Sequence, residues 1–177
     1  MKRLAGIAML LALAAVCGAT TVIPLSVEQL TADADEVVEA RAVRSWSAWN
    51  PQRTIIYTFT DFNVTSRLKG ASPDVITVKQ MGGHADGLIQ TIAGLRYFQD
   101  GEEALLFLRR SAMNDGTRVI VGLMQGNFRV WTARTGHRMA SNGVPHVNAV
   151  EGSQVRTYGG TSLELDAIEA RVRKAVR

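Results

Sequence analysis

The sequence predicts a mainly β protein: one small closed or partly open β-barrel with a short N-terminal helix and a C-terminal helix. Three observations carry this reading. Two long strand-like arms, joined at Asn50-Pro51, fill the stretch from Asp35 to Gly70. Short apolar runs separated by glycine-containing turns follow as far as Thr132. Capping-box spacings stand near both ends, Ser26 with Gln29 and Thr161 with Glu164.

Taken in order, Ser26 opens a short helix through SVEQLTADA, with Val27 and Leu30 as its core contacts. The first arm places Val38, Ala40, Ala42 and Trp46 in one phase and Glu39, Arg41 and Ser45 in the other. Period two of this kind marks a strand with one buried and one wet face. The second arm, Thr54 to Leu68, is dense in β-branched and aromatic residues, which suit a pleated surface and lose rotamer freedom in a helix. Both arms exceed the usual strand length, so strong twist or a bulge is expected. Asp74 to Gln80 reads as a third strand. In the glycine-rich stretch 81–101, Asp86-Gly87 and Asp100-Gly101 mark tight turns around a short strand, Leu88 to Ile92.

Glu103 to Arg109 is a short apolar run and reads as a central strand buried on both faces. Strands are expected at Arg118 to Met124 and Phe128 to Thr132, with Gly126 at a bulge or corner between them. From 133 to 160 periodicity fades, and an irregular connection is expected. A C-terminal helix over 162–177 then presents Leu165, Ile168 and Val172 on one face. Bent strands with internal glycines favour a barrel over a sandwich.

Met1-Lys2-Arg3, an apolar run from Leu4 to Ala15 and the small residues Cys17-Gly18-Ala19 form the three-part pattern of a secretory signal peptide. Residues 1–19 are assigned to it and residues 20–177 to a single domain. A lipoprotein signal acylated at Cys17 fits less well because Val16 precedes the cysteine, and the run is short of the about 18 residues of a membrane span. Export to the periplasm or beyond is therefore expected, with no stable membrane insertion once the signal is removed. Loss of Lys2 and Arg3 would leave 18 basic residues against 16 acidic ones, so the basic balance of the whole chain does not point to nucleic acid. The single cysteine lies in the signal, so the exported chain would hold neither a disulfide nor a cysteine-ligated metal.

The pieces ADEVVEARAV, IIYTFTDFNVTSRLKG and GEEALLFL resemble, as an ordered set, small exported bacterial β proteins of unassigned function. They resemble more distantly the OB-fold barrel of netrin-like modules and the tissue inhibitors of metalloproteinases. There, a strand of the form AD-x-VV precedes one ending in V-x-x-x-(L/F)-KG; here Ala34-Asp35-Glu36-Val37-Val38 and Val64 with Leu68-Lys69-Gly70 take those places. The resemblance implies an OB-like barrel that presents loops to a partner. The chain departs from the inhibitors in lacking their zinc-chelating N-terminal cysteine and their disulfides, so it implies no inhibitory mechanism.

No nucleophile elbow, H-E-x-x-H motif, phosphate-binding loop or dinucleotide fingerprint occurs. His84 and Asp86 form an H-x-D pair, readable as two metal ligands, as a base with its orienting carboxylate, or as turn residues. His137 and His146, the other histidines, lie in the irregular stretch. Glu102 and Glu103 are adjacent and point to opposite faces of a strand, which does not suit paired-carboxylate chemistry. Period two directs Trp46 to the core and leaves Trp49 at the hairpin tip, as a partner anchor or as part of a cluster locking the hairpin. Between Ala104 and Val150, Arg109, Arg110, Arg118, Arg129, Arg134 and Arg138 have only Asp115 as an acid and read as a surface for an anionic envelope polymer or, in preference, as a dispersed solvated face.

The function expected is a non-catalytic binding module with a protein partner in the envelope or outside the cell, and with no cofactor. The alternatives are a metal-dependent or hydrolytic enzyme centred on His84 and Asp86, and a structural envelope protein. Trp49, Trp46, His84 and Asp86 are the partner-binding candidates.

Overall fold

A computed structural model describes residues 24–142, 147–151, 154–158 and 162–177. Residues 1–19, expected to be a signal peptide, His146 and Thr161 lie outside the described residues. The elements are α1 (Val27–Asp33), β1 (Glu36–Trp49), β2 (Ile56–Lys69), β3 (Val75–Met81), β4 (Gly83–Ala85), β5 (Leu88–Gln90), β6 (Glu103–Arg110), β7 (Arg118–Ile120), β8 (Asn127–Thr132), β9 (Arg138–Ser141), β10 (Val147–Glu151), β11 (Gln154–Tyr158), β12 (Ser162–Glu164) and α2 (Leu165–Val176).

Helix α1 starts with the expected capping box. Gln29 N–H donates to Ser26 Oγ at 3.2 Å, and Ser26 N–H donates to Gln29 Oε1 at 2.8 Å. The strands close into a five-stranded barrel because β1 pairs with two neighbours, β2 along its length and β6 from Glu36 to Arg41. The circuit runs β1-β2-β3-β7-β6 and back to β1, and β8, β9 and β12 extend the sheet from β6. Only the β3–β7 pair in this circuit is parallel, and it has one bridge, Val78 to Arg118.

Alternation along β1 and β6 divides the core into two layers. Val38, Ala40, Leu106 and Leu108 turn into the barrel, with Phe62, Ile76 and Val78. Val37, Leu105 and Phe107 turn outward, against Val27 and Leu30 of α1 and Leu165, Ile168 and Val172 of α2. This explains the double burial of β6, because each large apolar side chain on either face gains about 1.5–3 kcal/mol from leaving water. Phe98, from the irregular run before β6, plugs the barrel and meets Phe62 edge-on at 4.8 Å.

Three expectations need correction. The stretch 133–160 contains strands: β9 pairs with β8, and β10 with β11. In β9 the four residues bury a single alanine, Ala140, which is too short a run to show a period. The C-terminal helix begins at Leu165, because Ser162–Glu164 pair with β9. Glu164 is therefore the N-cap of α2 and not its third residue, and it makes no side-chain cap bond. The strands begun at Leu88 and Arg118 stop at Gln90 and Ile120.

Candidate functional site at the hairpin tip

The β1–β2 hairpin rises beyond the barrel and ends in a turn built by Asn50. Its Oδ1 accepts from Thr54 N–H at 2.7 Å and Ile55 N–H at 3.0 Å, and Arg53 adopts a left-handed φ of 54°. Partway up β1 the pairing steps from Ala42↔Phe62 to Arg44↔Asp61, leaving Val43 without an opposite residue. That bulge reverses the parity of every later side chain. Trp46 is in phase with Val38, Ala40 and Ala42 in the sequence, yet it emerges on the outer face, 38% exposed. Its expected core position is thus corrected.

On the outer face Trp46 stacks on Phe59 with centroids 5.5 Å apart and planes 17° from parallel. The Arg44 guanidinium lies over the indole at 4.6 Å and pairs with Asp61 at 2.8 Å. Tyr57 continues the row beside Phe59, and Lys79 sits 5.3 Å from the Tyr57 ring. Together these side chains form an aromatic row with cations at both ends across β1, β2 and β3.

Trp49 falls on the opposite face and is only half-buried, but its Nε1 is enclosed without a hydrogen-bond partner. The Arg53 guanidinium lies 5.7 Å from its ring and donates to Asp86 Oδ2 at 2.5 Å. Asp86 and Gly87, with φ of 52° and 76°, form the tight β4–β5 turn that an Asp-Gly pair favours. His84, on β4 opposite Ile89, is exposed. Trp46, His84, Ile89 and Tyr97 line a groove of about 360 Å³ with the hydroxyl pair Ser47 and Thr58. All four candidates therefore meet at one end of the molecule: Trp49 and Asp86 through Arg53, and Trp46 and His84 across the groove.

The Asp86 carboxylate is held by Arg53, and His137 lies 3.2 Å from Glu164. Among the described residues no three His, Cys, Asp or Glu side chains are grouped to hold a metal ion. Glu102 and Glu103 do diverge. Glu102 pairs with Arg129 and Arg96, whereas Glu103 pairs with Arg41 and Arg138. The arginine face is also neutralised by acids from outside its sequence window: Arg109 by Asp33, Arg110 and Arg118 by Glu36, and Arg138 by Glu39. Burial, with Arg96 nearby, pushes the pKa of Arg129 down to about 10.

Past Arg41, β1 has no second strand partner among the described residues, and there Val43 to Trp49 form an open sheet edge beside the groove. Sequence reasoning does not reach Arg44 and Arg53, because their acid partners, Asp61 and Asp86, lie in other elements. A signal for the outer row does exist, since Tyr57 and Phe59 are two apart and out of phase with the barrel residue Phe62. No helix among the described residues is long and apolar enough to cross a membrane. No protein-family model matches the chain, and no curated protein matches it significantly.

Proposed function

We propose that this protein is an exported, non-catalytic binding module that takes up an extended segment of another envelope or extracellular protein along the open edge of β1. The observation that carries the reading is Trp46, 38% exposed on that edge, stacked on Phe59 and in contact with Arg44. An unpaired edge offers main-chain donors and acceptors to an incoming strand, and a fixed tryptophan beside arginine is a common anchor of interfaces. Ile89, 77% exposed on the facing hairpin, adds a second apolar contact. The strand order β1-β2-β3-β7-β6, with one parallel closure, supports an OB-type reading of the barrel, a class that binds its ligands on a strand face. The leader pattern of residues 1–19 supports export.

The test is affinity capture by tagged residues 20–177 from native envelope and culture fluid, with Trp46→Ala alongside. Any retained protein is then examined for amide exchange in the complex. A single partner that is lost with Trp46→Ala and slows exchange at residues 43–49 supports the proposal. A partner that leaves those amides unprotected, or no partner with and without crosslinking, rejects it.

A further inference from the structure

The barrel wall has one weak seam. β3 and β7 share the single bridge Val78↔Arg118 and then separate, so Lys79–Met81 and Val119–Ile120 face each other without ladder bonds. A slot of about 320 Å³ occupies the gap, lined mainly by Met81, Leu95, Met113, Val119 and Leu123. That volume is at the small end of the range for small-molecule sites, about 300–1,000 Å³. Three features of the slot bear on what it could hold.

The first is Gln80, which lines the slot, is 6% exposed and encloses an Oε1 with no hydrogen-bond partner. A buried acceptor left empty is unfavourable until a donor reaches it. The second is Leu123, which holds a left-handed φ of 65° directly after Gly122 at the same φ and is 41% exposed. A bulky side chain in that conformation is strained, and here the strain displays an apolar group at the slot mouth. The third is the thioether pair Met81 and Met113, both exposed at the rim, whose flexible side chains adapt to irregular apolar shapes.

The polar floor selects against charge. Lys79 lines the slot with its ammonium already satisfied by Asp115 at 2.5 Å and Ser111 at 3.2 Å. A charged ligand would enter apolar surroundings without a free counter-charge. We infer that this slot is a binding site for a neutral, apolar small molecule carrying one N–H or O–H donor, with the donor directed to Gln80 Oε1. The slot lies at the Tyr57–Lys79 end of the aromatic row, and Trp46 stands at the other end.

The probe is N-phenyl-1-naphthylamine, a neutral aromatic with a single N–H, titrated into the purified protein. A saturable rise in fluorescence with one site per chain is expected. 1-Phenylnaphthalene, which lacks the donor, should compete about fivefold more weakly, as loss of one hydrogen bond implies. The anionic 8-sulfonate of the same dye should bind at least tenfold more weakly.

Ala112 is exposed and lines the slot, so Ala112→Trp fills it without disturbing the core and should weaken dye binding at least tenfold. Gln80→Leu should remove the preference for the N–H compound. Leu123→Asn relieves the left-handed strain while deleting an apolar wall, so it should bind dye more weakly with an equal or higher melting temperature. Trp46→Ala should bind the dye as the parent chain does. The proposal is overturned by absence of saturable binding, or by equal affinity for the dye in Ala112→Trp. Dye displacement that tracks self-association at high protein concentration would assign the slot to a second copy of the chain, and also overturns it.

Discussion

The Arg53 guanidinium donates to Asp86 at 2.5 Å, which ties the tip of the long β1–β2 hairpin to the turn of the small β4–β5 hairpin. Both side chains are largely exposed, and exposed ion pairs contribute about 0–1 kcal/mol. Asp86→Ala should therefore leave the melting temperature nearly unchanged. Arg53→Ala should do the same, but it also uncovers one side of Trp49, so the tryptophan emission should change more than in Asp86→Ala. Equal spectra for the two variants would contradict the stacked geometry.

Gly83 is the closest approach between β4 and the hairpin it covers. A Cβ there would fall 2.3 Å from Thr58 Oγ1 and 2.4 Å from Ser47 Oγ, at a φ of 135° that side chains rarely adopt. Gly83→Ala should cost about 2–3 kcal/mol in chemical denaturation, in the range of overpacking plus backbone strain. Faster amide exchange should be confined to residues 83–90 and the facing part of β1 and β2.

Lys79 and Asp115 are unequal partners. The lysine side chain is 6% exposed, whereas the aspartate is about a third exposed. Asp115→Ala leaves an ammonium buried without its counter-charge and should destabilise the fold by about 3 kcal/mol. Lys79→Met leaves a carboxylate that water can reach, and should cost about 1 kcal/mol or less. Urea denaturation of the two variants checks the order, and a larger loss for Lys79→Met would refute it.

Glu39 lies under α2, and its carboxyl is pushed up to about 7, first by burial and then by Glu169, against the pull of Arg138. An acid with a raised folded-state pKa keeps its proton on folding, so protonation favours the folded state. Stability should fall as pH rises from about 4.5, the unfolded value, to about 7, and the penalty should be complete above that. Urea denaturation should find the native protein more stable at pH 5 than at pH 8. Glu39→Gln should show a smaller pH dependence over the same interval and exceed the parent at pH 8. Glu28 is held down at about 2 by Arg171, and Asp115 is held low by Lys79; both lose their stabilising effect only as pH falls below the ordinary carboxylate range, outside this window.

The fold was readable where local chemistry and tertiary contacts agree. The alternation of β1 up to Ala42, the β-branched density of β2, the apolar run of β6 and the Ser26 cap each give the observed element from its own residues. The candidate site was readable only as a set of residues, without their arrangement. Trp46 shows why. Its sequence phase points to the core, and the unpaired Val43 sends it outward. A one-residue bulge depends on how two strands pair, and neither strand shows it alone.

By itself the sequence determined that the chain is mainly β, that β1 and β2 form a long hairpin, that β6 is buried on both faces, and that a helix stands near each end. Those features rest on period, turn residues and caps, which act over a few residues. Tertiary structure alone decided the closure of the barrel through β1 and β6, the pairing of the arginines with distant acids, the meeting of Trp49 with Asp86 through Arg53, and the seam beside Lys79. Each of these depends on contacts between residues far apart in the chain, whose partners and register are set only when the sheet closes.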